Sequence, residues 1–300
     1  MLSNFNFAAG SIAGTEHVRP DQPGFKNNQD AYSLRTDDNL IVGVVCDGCG
    51  SGGHSEFGAR FASRFIANKL HRWISDNLTH EEERDFPTPH IDLIEQKIAT
   101  VKETLLGQIG NLAIEMSTGG PSNHPAIIAQ IVDSLLFTVV GFVMTKEHTV
   151  IFGMGDGVYA VNDEITILEP EQGNAPVYLA YALTGSPITD EKPHLLNFQI
   201  HKSFPTSDVK SLLIGTDGCA DLIKRADDLT PQGDPVGGLN QFWSENMMLC
   251  GAGERHSPKA QRRLNLLNQS KYRINRDTGT MDKRHGVLHD DTTLISVRRM

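Results

Sequence analysis

The stretch Ile41-Val42-Gly43-Val44-Val45-Cys46-Asp47-Gly48 decides the fold, because an unbroken apolar run stops at an acidic residue followed by glycine. Two later apolar runs stop in the same way, at Asp156-Gly157 and at Asp217-Gly218. An acidic pair, Asp290-Asp291, stands just before the last apolar run. Carboxylates at strand ends that lie so far apart in the chain converge only if their strands share a sheet.

A cluster of such acids would repel itself and would therefore need cations. Hard carboxylate oxygens suit Mg²⁺ or Mn²⁺, so a metal-centred enzyme is the first hypothesis. Asp-Gly is also a common hairpin signal, and a simple turn explains Asp156-Gly157 as well as a metal role does. Asp217 could instead cap the helical segment that follows it. A hairpin does not explain Asp47-Gly48, because this pair is followed by the glycine-rich segment 49–54 and then by a predicted helix, not by a second strand.

The composition is that of a globular protein and argues against several classes of function. With 39% hydrophobic and 21% charged residues, the 300-residue chain can bury a sizeable core. Its net charge of −10 argues against nucleic acid as a partner, because phosphate backbones favour clustered Lys and Arg. No apolar stretch reaches the roughly 20 residues that cross a bilayer, and the N-terminus lacks a secretory signal pattern. We therefore expect a cytoplasmic protein without membrane contact.

The four cysteines do not form a disulfide framework in a chain of this length. Cys46 and Cys49 have the Cys-x-x-Cys spacing of some zinc and redox sites. A second ligand pair for zinc is missing, so Cys46 is better explained as a small buried hydrophobe at a strand end.

The periodicity predicts an α+β protein in which helices cover β-sheets. Two long helices are expected at Ser55–Ile74 and at about 91–116, and the aromatic stripe of the first is predicted to face the core. A shorter helix is expected around 257–269. The predicted strands are 5–13, 31–35, 40–46, 134–145, 148–154, 158–168, 194–203, 211–216 and 292–299.

We expect a single catalytic domain over residues 1–300, with two irregular regions. The segment at about 169–193 is rich in Pro, Gly and short polar residues and is predicted to form a loop or flap. The segment 226–289 has mixed composition and is predicted to be variable, with a basic surface loop over 273–285.

The acidic motifs together resemble the protein phosphatase 2C type, a family of metal-dependent serine/threonine phosphatases. The resemblance spans about residues 10 to 297, and an opening Ser11-x-x-Gly14-Thr15-x-His17 looks most like a bacterial subgroup. It implies a four-layer sandwich of two central antiparallel β-sheets flanked by helices. The motifs, in family order, are Asn28-Gln29-Asp30, Asp47-Gly48, Gly155-Asp156-Gly157, Thr216-Asp217-Gly218-Cys219-Ala220-Asp221 and Asp290-Asp291-x-Thr293.

The resemblance implies a site with two Mg²⁺ or Mn²⁺ ions and a catalytic set of Asp47, Asp217 and Asp290. Asp47 would bridge both ions and the Gly48 carbonyl would bind the second. Asp217 and Asp290 would hold the first ion. Asp156 matches the position that helps to bind a looser third ion.

Four further polar residues are implied to support the metal ligands. Many relatives have Glu where Gln29 stands, so Gln29 or the neighbouring Asp30 would act on the second ion through water, and Asp30 is kept as a metal ligand. Asp291 stands where relatives often have Asn and ranks below Asp290. Asp221 is expected to contact the ligands from behind.

Two family positions differ in this sequence. Eukaryotic members commonly have a histidine directly after Asp-Gly as a proposed general acid, whereas this chain has Cys49. His54 is the candidate general acid instead, although a lone His before a helix is more often a surface or capping residue. The usual phosphate-binding arginine is not clearly in place, and Lys26 is favoured over Arg19 for that role.

The predicted function is hydrolysis of phosphoserine and phosphothreonine in proteins by a metal-activated water. The expected partners are a phosphorylated protein substrate and a serine/threonine kinase acting in the opposite direction, and the expected state is a monomer. Two alternatives remain: a catalytically silent relative that binds phosphorylated partners, and a phosphatase of a small phosphate ester.

Overall fold

The computed structural model describes residues 2–17, 27–79, 90–118, 120–171, 176–274, 276 and 279–300, which form two main β-sheets and the helices that cover them. Sheet 1 has five antiparallel strands in the order β2-β3-β4-β5-β8. These strands are Ala31–Thr36, Leu40–Cys46, Val139–Thr145, His148–Met154 and Gln199–Pro205.

Sheet 2 has six strands in the order β10-β1-β13-β9-β6-β7 and pairs the two ends of the chain, since β1 and β13 are antiparallel neighbours. Its strands in chain order are Phe5–Ile12 (β1), Gly157–Val161 (β6), Glu164–Leu168 (β7), Ser211–Gly215 (β9), His256–Ser257 (β10) and Thr292–Arg299 (β13). A separate exposed hairpin joins β11, Lys271–Ile274, to β12, Met281–Arg284.

The layers follow from three groups of buried apolar side chains. One group, including Phe142, Ile214 and Ile295, comes from both sheets and fills the space between them. The second covers the outer face of sheet 1 with α1 to α3, and the third covers sheet 2 with α6 to α8. The helices are Ser55–Thr79, His90–Met116, His124–Ser134, Tyr181–Thr184, Pro187–Glu191, Gly218–Lys224, Glu245–Met248 and Lys259–Leu267, numbered α1 to α8. The predicted α+β sandwich of two antiparallel sheets flanked by helices is confirmed.

Helix α1 buries its small and aliphatic residues rather than its aromatic ones. Ala59, Ile66 and Ile74 are fully buried against sheet 1, whereas Phe57 is 41% exposed. Phe61 and Phe65 pack against the core from its edge, with ring centroids 5.5 Å apart. The predicted aromatic stripe therefore contacts the core at Phe61, Phe65 and Trp73, whereas Phe57 does not, and small residues such as Ala59 let the helix approach the sheet closely.

Other differences are local. Helix α3 was not predicted, and the strand predicted over 158–168 is two strands joined at Asn162-Asp163, both with positive φ. The predicted flap contains the short helices α4 and α5, and its residues 172–175 lie outside the described part. The loop predicted over 273–285 includes both strands of the exposed hairpin. None of the described helices is both long and apolar enough to span a bilayer.

Candidate metal centre

The strand register brings the acidic motifs to one end of the sandwich. Ala31 lies opposite Cys46, so Asp30 and Asp47 are neighbours. Leu294 lies opposite Gly215, so the chain before β13 meets the chain after β9. Because β1 also ends beside the start of β13, with Ile12 opposite Thr292, the segment after β1 reaches the same place.

Asp47 leaves the end of β3 and enters a tightly packed glycine segment. The Gly48 N–H donates to the Gln29 carbonyl at 3.2 Å. A Cβ at Gly48 would stand 2.8 Å from the carbonyl oxygens of both Gln29 and Ser55, so a larger residue does not fit. The glycine thus holds the Asp47 carboxylate and the segment before α1 in fixed relation to β2.

Asp156 lies where the chain crosses from sheet 1 to sheet 2. β5 ends at Met154 in one sheet and β6 begins at Gly157 in the other, so the hairpin interpretation of Asp156-Gly157 is wrong. Gly155 has φ of 84°, which makes the crossing accessible to glycine but strained for other residues. The Asp156 side chain is buried, and its Oδ1 accepts no hydrogen bond from the described residues.

Asp217 precedes α6 without capping it. Its side chain makes no capping hydrogen bond and is within reach only of the adjacent Gly218 backbone N–H, so the capping interpretation is also wrong. The next residue, Gly218, lies so close to the Asp291 carbonyl that an added Cβ would clash with it. This close contact between α6 and the start of β13 places the Asp217 carboxylate near Asp290.

Asp290 and Asp291 have different environments. The side chain of Asp290 is half exposed, whereas that of Asp291 is buried. Asp291 accepts hydrogen bonds from the backbone N–H of Gly14 at 2.7 Å and of Gln29 at 2.5 Å. His17 Nδ1 lies 3.0 Å from Asp291 Oδ1, and its Nε2 lies 3.6 Å from Asp290 Oδ1. Asp291 therefore anchors the segments around it, and Asp290 is left to face the cleft.

Asp30 and Gln29 support the site from below. Thr216 Oγ1 donates to Asp30 Oδ2 at 2.6 Å, and the Asp30 carboxyl is also within hydrogen-bonding reach of Asp47. Gln29 Nε2 donates to Ser55 Oγ at 2.5 Å and to the Gly52 carbonyl at 3.3 Å. The side chain of Gln29 thus holds the glycine-rich segment.

A cleft of about 380 Å³ opens above these residues. Cys49 lies in its wall, and burial of the thiol is outweighed by hydrogen bonds from Ser51 and Tyr178, which lower the pKa of Cys49. Burial raises the pKa of Tyr178 well above its ordinary value, so its hydroxyl stays protonated. The lining residues are His17, Asp47, Gly48, Cys49, Gly50, Ser51, Asp156, Pro176, Tyr178, Tyr181, Asp217 and Asp290.

An acidic side pocket of about 210 Å³ adjoins the cleft and shares Asp156, Asp217 and Asp290 with it. Asp221 and Glu169 also line this pocket, and neither lines the cleft. Asp221, predicted to support the ligands, therefore lies beside Asp217 and Asp290 in this pocket, and its role stays a prediction. Glu169 was not predicted, and its charge contributes to raising the pKa of Asp156.

The predicted general acid, His54, is not brought to the cleft. His54 is exposed at the start of α1 and does not line the cleft, and its backbone N–H donates to the Asp133 carbonyl. The sequence placed it near the site because only five residues separate Gly48 from His54, but those residues form a tight turn that carries His54 outward. Lys26 lies outside the described residues.

Electrostatics show that the acids at the cleft lie close enough to disfavour each other's charge. Burial and then the charges of Asp30 and Asp217 raise the pKa of Asp47 well above its ordinary value. Burial and then Asp290 raise the pKa of Asp217 to about 7. For Asp156, burial raises the pKa to about 6, with Asp290 and Glu169 adding to it.

This arrangement fits divalent cations. The cleft carboxylates are costly to ionise together, and one buried oxygen of Asp156 accepts no hydrogen bond from the described residues. These hard oxygen atoms are ligands that suit Mg²⁺ or Mn²⁺. One set of three ligand-type atoms lies within 4.8 Å of one another in the described residues, from His17, Asp290 and Asp291. Asp291 in this set already accepts two backbone N–H groups, so the set also acts as a hydrogen-bonded anchor.

A family model described as protein phosphatase 2C matches residues 13–250 of this sequence. The chain belongs to the protein phosphatase 2C family. The match confirms the predicted enzyme class, a metal-dependent serine/threonine phosphatase using Mg²⁺ or Mn²⁺. None of the curated proteins matches the sequence.

Solved structures with similar folds include several bacterial phosphatases. The serine/threonine phosphatase Stp1 from Staphylococcus aureus is 16% identical, with 98% of this chain and 94% of that chain covered and a TM-score of 0.47. PppA, described as a key regulatory component of T6SS in Pseudomonas aeruginosa, is 16% identical, with 99% and 98% covered and a TM-score of 0.45. The catalytic domain of PstP in complex with two manganese ions is 14% identical, with 98% and 97% covered and a TM-score of 0.42. The family assignment rests on the sequence match.

Two cleft residues, His17 and Tyr178, were not predicted as part of the site. His17 stood in the opening motif, and the signal that could have found it is the pairing of β1 with β13, which brings residues after β1 to Asp290. Tyr178 lies in the segment predicted as a flap, and its sequence neighbours carry no signal of this contact.

Proposed function

We propose that this protein removes phosphate from phosphoserine and phosphothreonine in proteins, with catalysis in the 380 Å³ cleft. The observation that supports this most directly is the convergence of Asp47, Asp156, Asp217 and Asp290 on that one cleft. These acids come from four separate strand ends. A protein that only binds phosphorylated partners has no need for a self-repelling acid cluster, so the catalytically silent alternative is not favoured.

In this proposal the cleft carboxylates hold the ions. Asp47 and the Gly48 carbonyl would hold one ion. Asp47, Asp217 and Asp290 would hold the other, and Asp156 would contribute to a third. Asp30 does not line the cleft, so it orients Asp47 and Thr216 instead of serving as a ligand. When bound, two divalent ions supply Lewis acidity and an activated water at neutral pH.

His17 replaces His54 as the candidate general acid. It lines the cleft and lies 3.6 Å from Asp290, so its imidazole can carry a proton to the departing serine or threonine oxygen. A nitrophenolate leaving group needs little protonation. We therefore expect His17→Gln to lower kcat for a phosphoserine peptide at least tenfold more than kcat for p-nitrophenyl phosphate. Equal losses on the two substrates would remove His17 from this role.

The finer predictions about the cell also belong here. A serine/threonine kinase would supply the phosphorylated substrate that this enzyme consumes. All four cysteines are free thiols, which supports a reducing compartment such as the cytoplasm. The monomeric state and the single domain stay predictions from the sequence.

The proposal is tested by turnover of p-nitrophenyl phosphate and a phosphoserine peptide in Mn²⁺, with and without a chelator. We expect activity that the chelator abolishes. The peptide should be preferred to small metabolite-like esters such as phosphoserine itself. Absence of turnover despite a Mn²⁺-dependent rise in Tm would contradict the proposed catalysis and favour a silent relative.

A further inference from the structure

A groove of about 850 Å³ runs beside the edge of sheet 1, on the side of β2 that has no neighbouring strand among the described residues. All six residues of β2 line it, together with one face of β1 and one side of α1. The groove is thus an open channel with a strand edge along its length. Its lining residues are Phe7, Ala9, Ser11, Asn28, Asp30, Ala31, Tyr32, Ser33, Leu34, Arg35, Thr36, Arg60, Ser63, Arg64 and His256.

Three arginines give this groove, the arginine groove, a positive wall in an otherwise acidic protein. Arg60 and Arg64 are exposed on α1, one turn apart, and form no ion pair within the described part of the chain. Like charges at this spacing destabilise a helix. Arg35 is held in place, because its Nε donates to Asn68 and its Nη1 donates to the Leu34 carbonyl.

Several other cations of this protein are paired. Lys192, Lys202 and Arg225 each lie within 2.8 Å of a carboxylate oxygen. On α1 itself, Arg72 lies 3.9 Å from Asp76, one turn further along. Arg60 and Arg64 therefore differ from Arg72 on the same helix, because they line a groove and have no ion pair among the residues that the structure describes. This arrangement suits an external anion.

The arginine groove comes close to the metal centre at Asp30. Asp30 lines the groove, and its carboxyl lies within hydrogen-bonding reach of Thr216 and of Asp47, which lines the cleft. From Asp30 to Arg35 the strand advances five residues, about 17 Å at roughly 3.3 Å per residue. A substrate segment in extended conformation covers that distance with about five residues.

We propose that the arginine groove binds acidic residues of the phosphoprotein substrate, about five positions from the phosphoserine, in an extended segment beside β2. This inference rests on the proposed phosphatase function and adds the substrate class that it prefers. The backbone N–H and C=O groups of the edge strand β2 can pair with an extended substrate segment. The guanidinium groups of the arginines can bind the carboxylates of that segment. A second phosphorylated residue at that spacing would fit the same wall.

The test uses three peptides with a central phosphoserine. One has three glutamates at positions +4 to +6, one has them at −6 to −4, and one has alanine at all these positions. For each protein, the ratio of kcat/KM for an acidic peptide to that for the neutral peptide is measured in Mn²⁺. In the wild type we expect a ratio of about five for one of the two acidic peptides, arising in KM. It should fall towards one in 0.5 M NaCl, since the ion pairs are exposed and screened.

The decisive variant is Arg60→Gln/Arg64→Gln, in which we expect the ratio to fall to about one. Arg72→Ala is the matched control, because Arg72 is exposed on the same helix outside the groove, and we expect it to keep the wild-type ratio. A ratio of one in the wild type for both acidic peptides overturns the inference, as does an unchanged ratio in the double variant.

Failure of the proposed function would look different. If neither p-nitrophenyl phosphate nor any peptide is hydrolysed by the wild type in Mn²⁺, the catalytic proposal fails. The groove is then judged by fluorescence anisotropy with the same peptides carrying a label. Preferential binding of an acidic peptide that the double variant loses supports the groove even in that case, and equal binding of all three peptides overturns it.

Discussion

Replacing Asp217 by asparagine should stabilise the metal-free protein while it abolishes turnover. The pKa of Asp217 is raised to about 7 from an ordinary value of 3.8, by burial and by the charge of Asp290. A shift of roughly three units at about 1.4 kcal/mol per unit sets an upper limit of about 4 kcal/mol on the cost of ionising this group in the folded state. Because Asp217 is partly accessible to solvent, we expect about 2–4 kcal/mol.

The sign of the pH dependence follows from the raised pKa. Below pH 4 the carboxyl is protonated in both the folded and unfolded states, so it costs nothing. Between pH 4 and about 7 the unfolded chain ionises Asp217 while the folded protein keeps it protonated, so stability is lost over this range and stays at its lower value above it. Asp217→Asn does not lose stability in this way. The variant should therefore be much more stable than the wild type at pH 8 and equally stable at low pH.

The assay is thermal unfolding in a chelator at pH 5 and pH 8, followed by the same scans in Mn²⁺. At pH 8 we expect the metal-free Tm of Asp217→Asn to exceed that of the wild type by about 4–12 °C, at roughly 2–4 °C per kcal/mol. At pH 5 the gap should be much smaller. Mn²⁺ should raise the Tm of the wild type much more than that of the variant, and the variant should have no turnover.

Asp38→Asn serves as the control, since Asp38 is an exposed acid in the turn before β3. It should leave the pH dependence unchanged. If Asp217→Asn is no more stable than the wild type at pH 8 without metal, or gains the same amount at pH 5, the electrostatic account of the cluster is wrong. Full retention of activity would remove Asp217 from the site.

Three further predictions concern neighbouring positions. Asp47→Asn should lower metal-dependent kcat by at least a hundredfold. His54→Ala should lower it by less than threefold, because His54 does not line the cleft. Equal losses of kcat in the two variants would contradict the placement of His54 outside the cleft. Gln29→Ala should lower the free energy of unfolding in urea by about 1–3 kcal/mol, because buried polar groups of the glycine-rich segment lose their hydrogen-bond partner. An unchanged urea midpoint would show that Gln29 does not hold this segment. Asp291→Asn should cost about 2–3 kcal/mol of stability in the same measurement, because asparagine offers one oxygen where both oxygens of Asp291 accept backbone N–H groups. Loss of activity with unchanged stability would instead indicate that Asp291 is a metal ligand.

The acidic motifs at strand ends were predictable because each is a local signal. A long apolar run forms a buried strand wherever it is placed, and an acid directly after it must leave the core at the strand end. That reasoning identified Asp47, Asp156 and Asp217 as neighbours in one region of the fold, and the structure places all three at one cleft. The sequence could not decide whether Asp156 belongs to a hairpin turn or to a metal site, because the dipeptide Asp-Gly occurs in both.

Only the tertiary structure decided which side chains complete the cleft. His17 and Asp290 meet because β1 and β13 pair over their full length, a contact between opposite ends of the chain that no local pattern encodes. His54 is near Asp47 in sequence, yet the turn before α1 directs it to solvent. The arginine groove likewise exists only because α1 lies along the free edge of β2. Local physical chemistry therefore determined the strands, the helices and the acids, while long-range strand pairing determined which of these residues share a site.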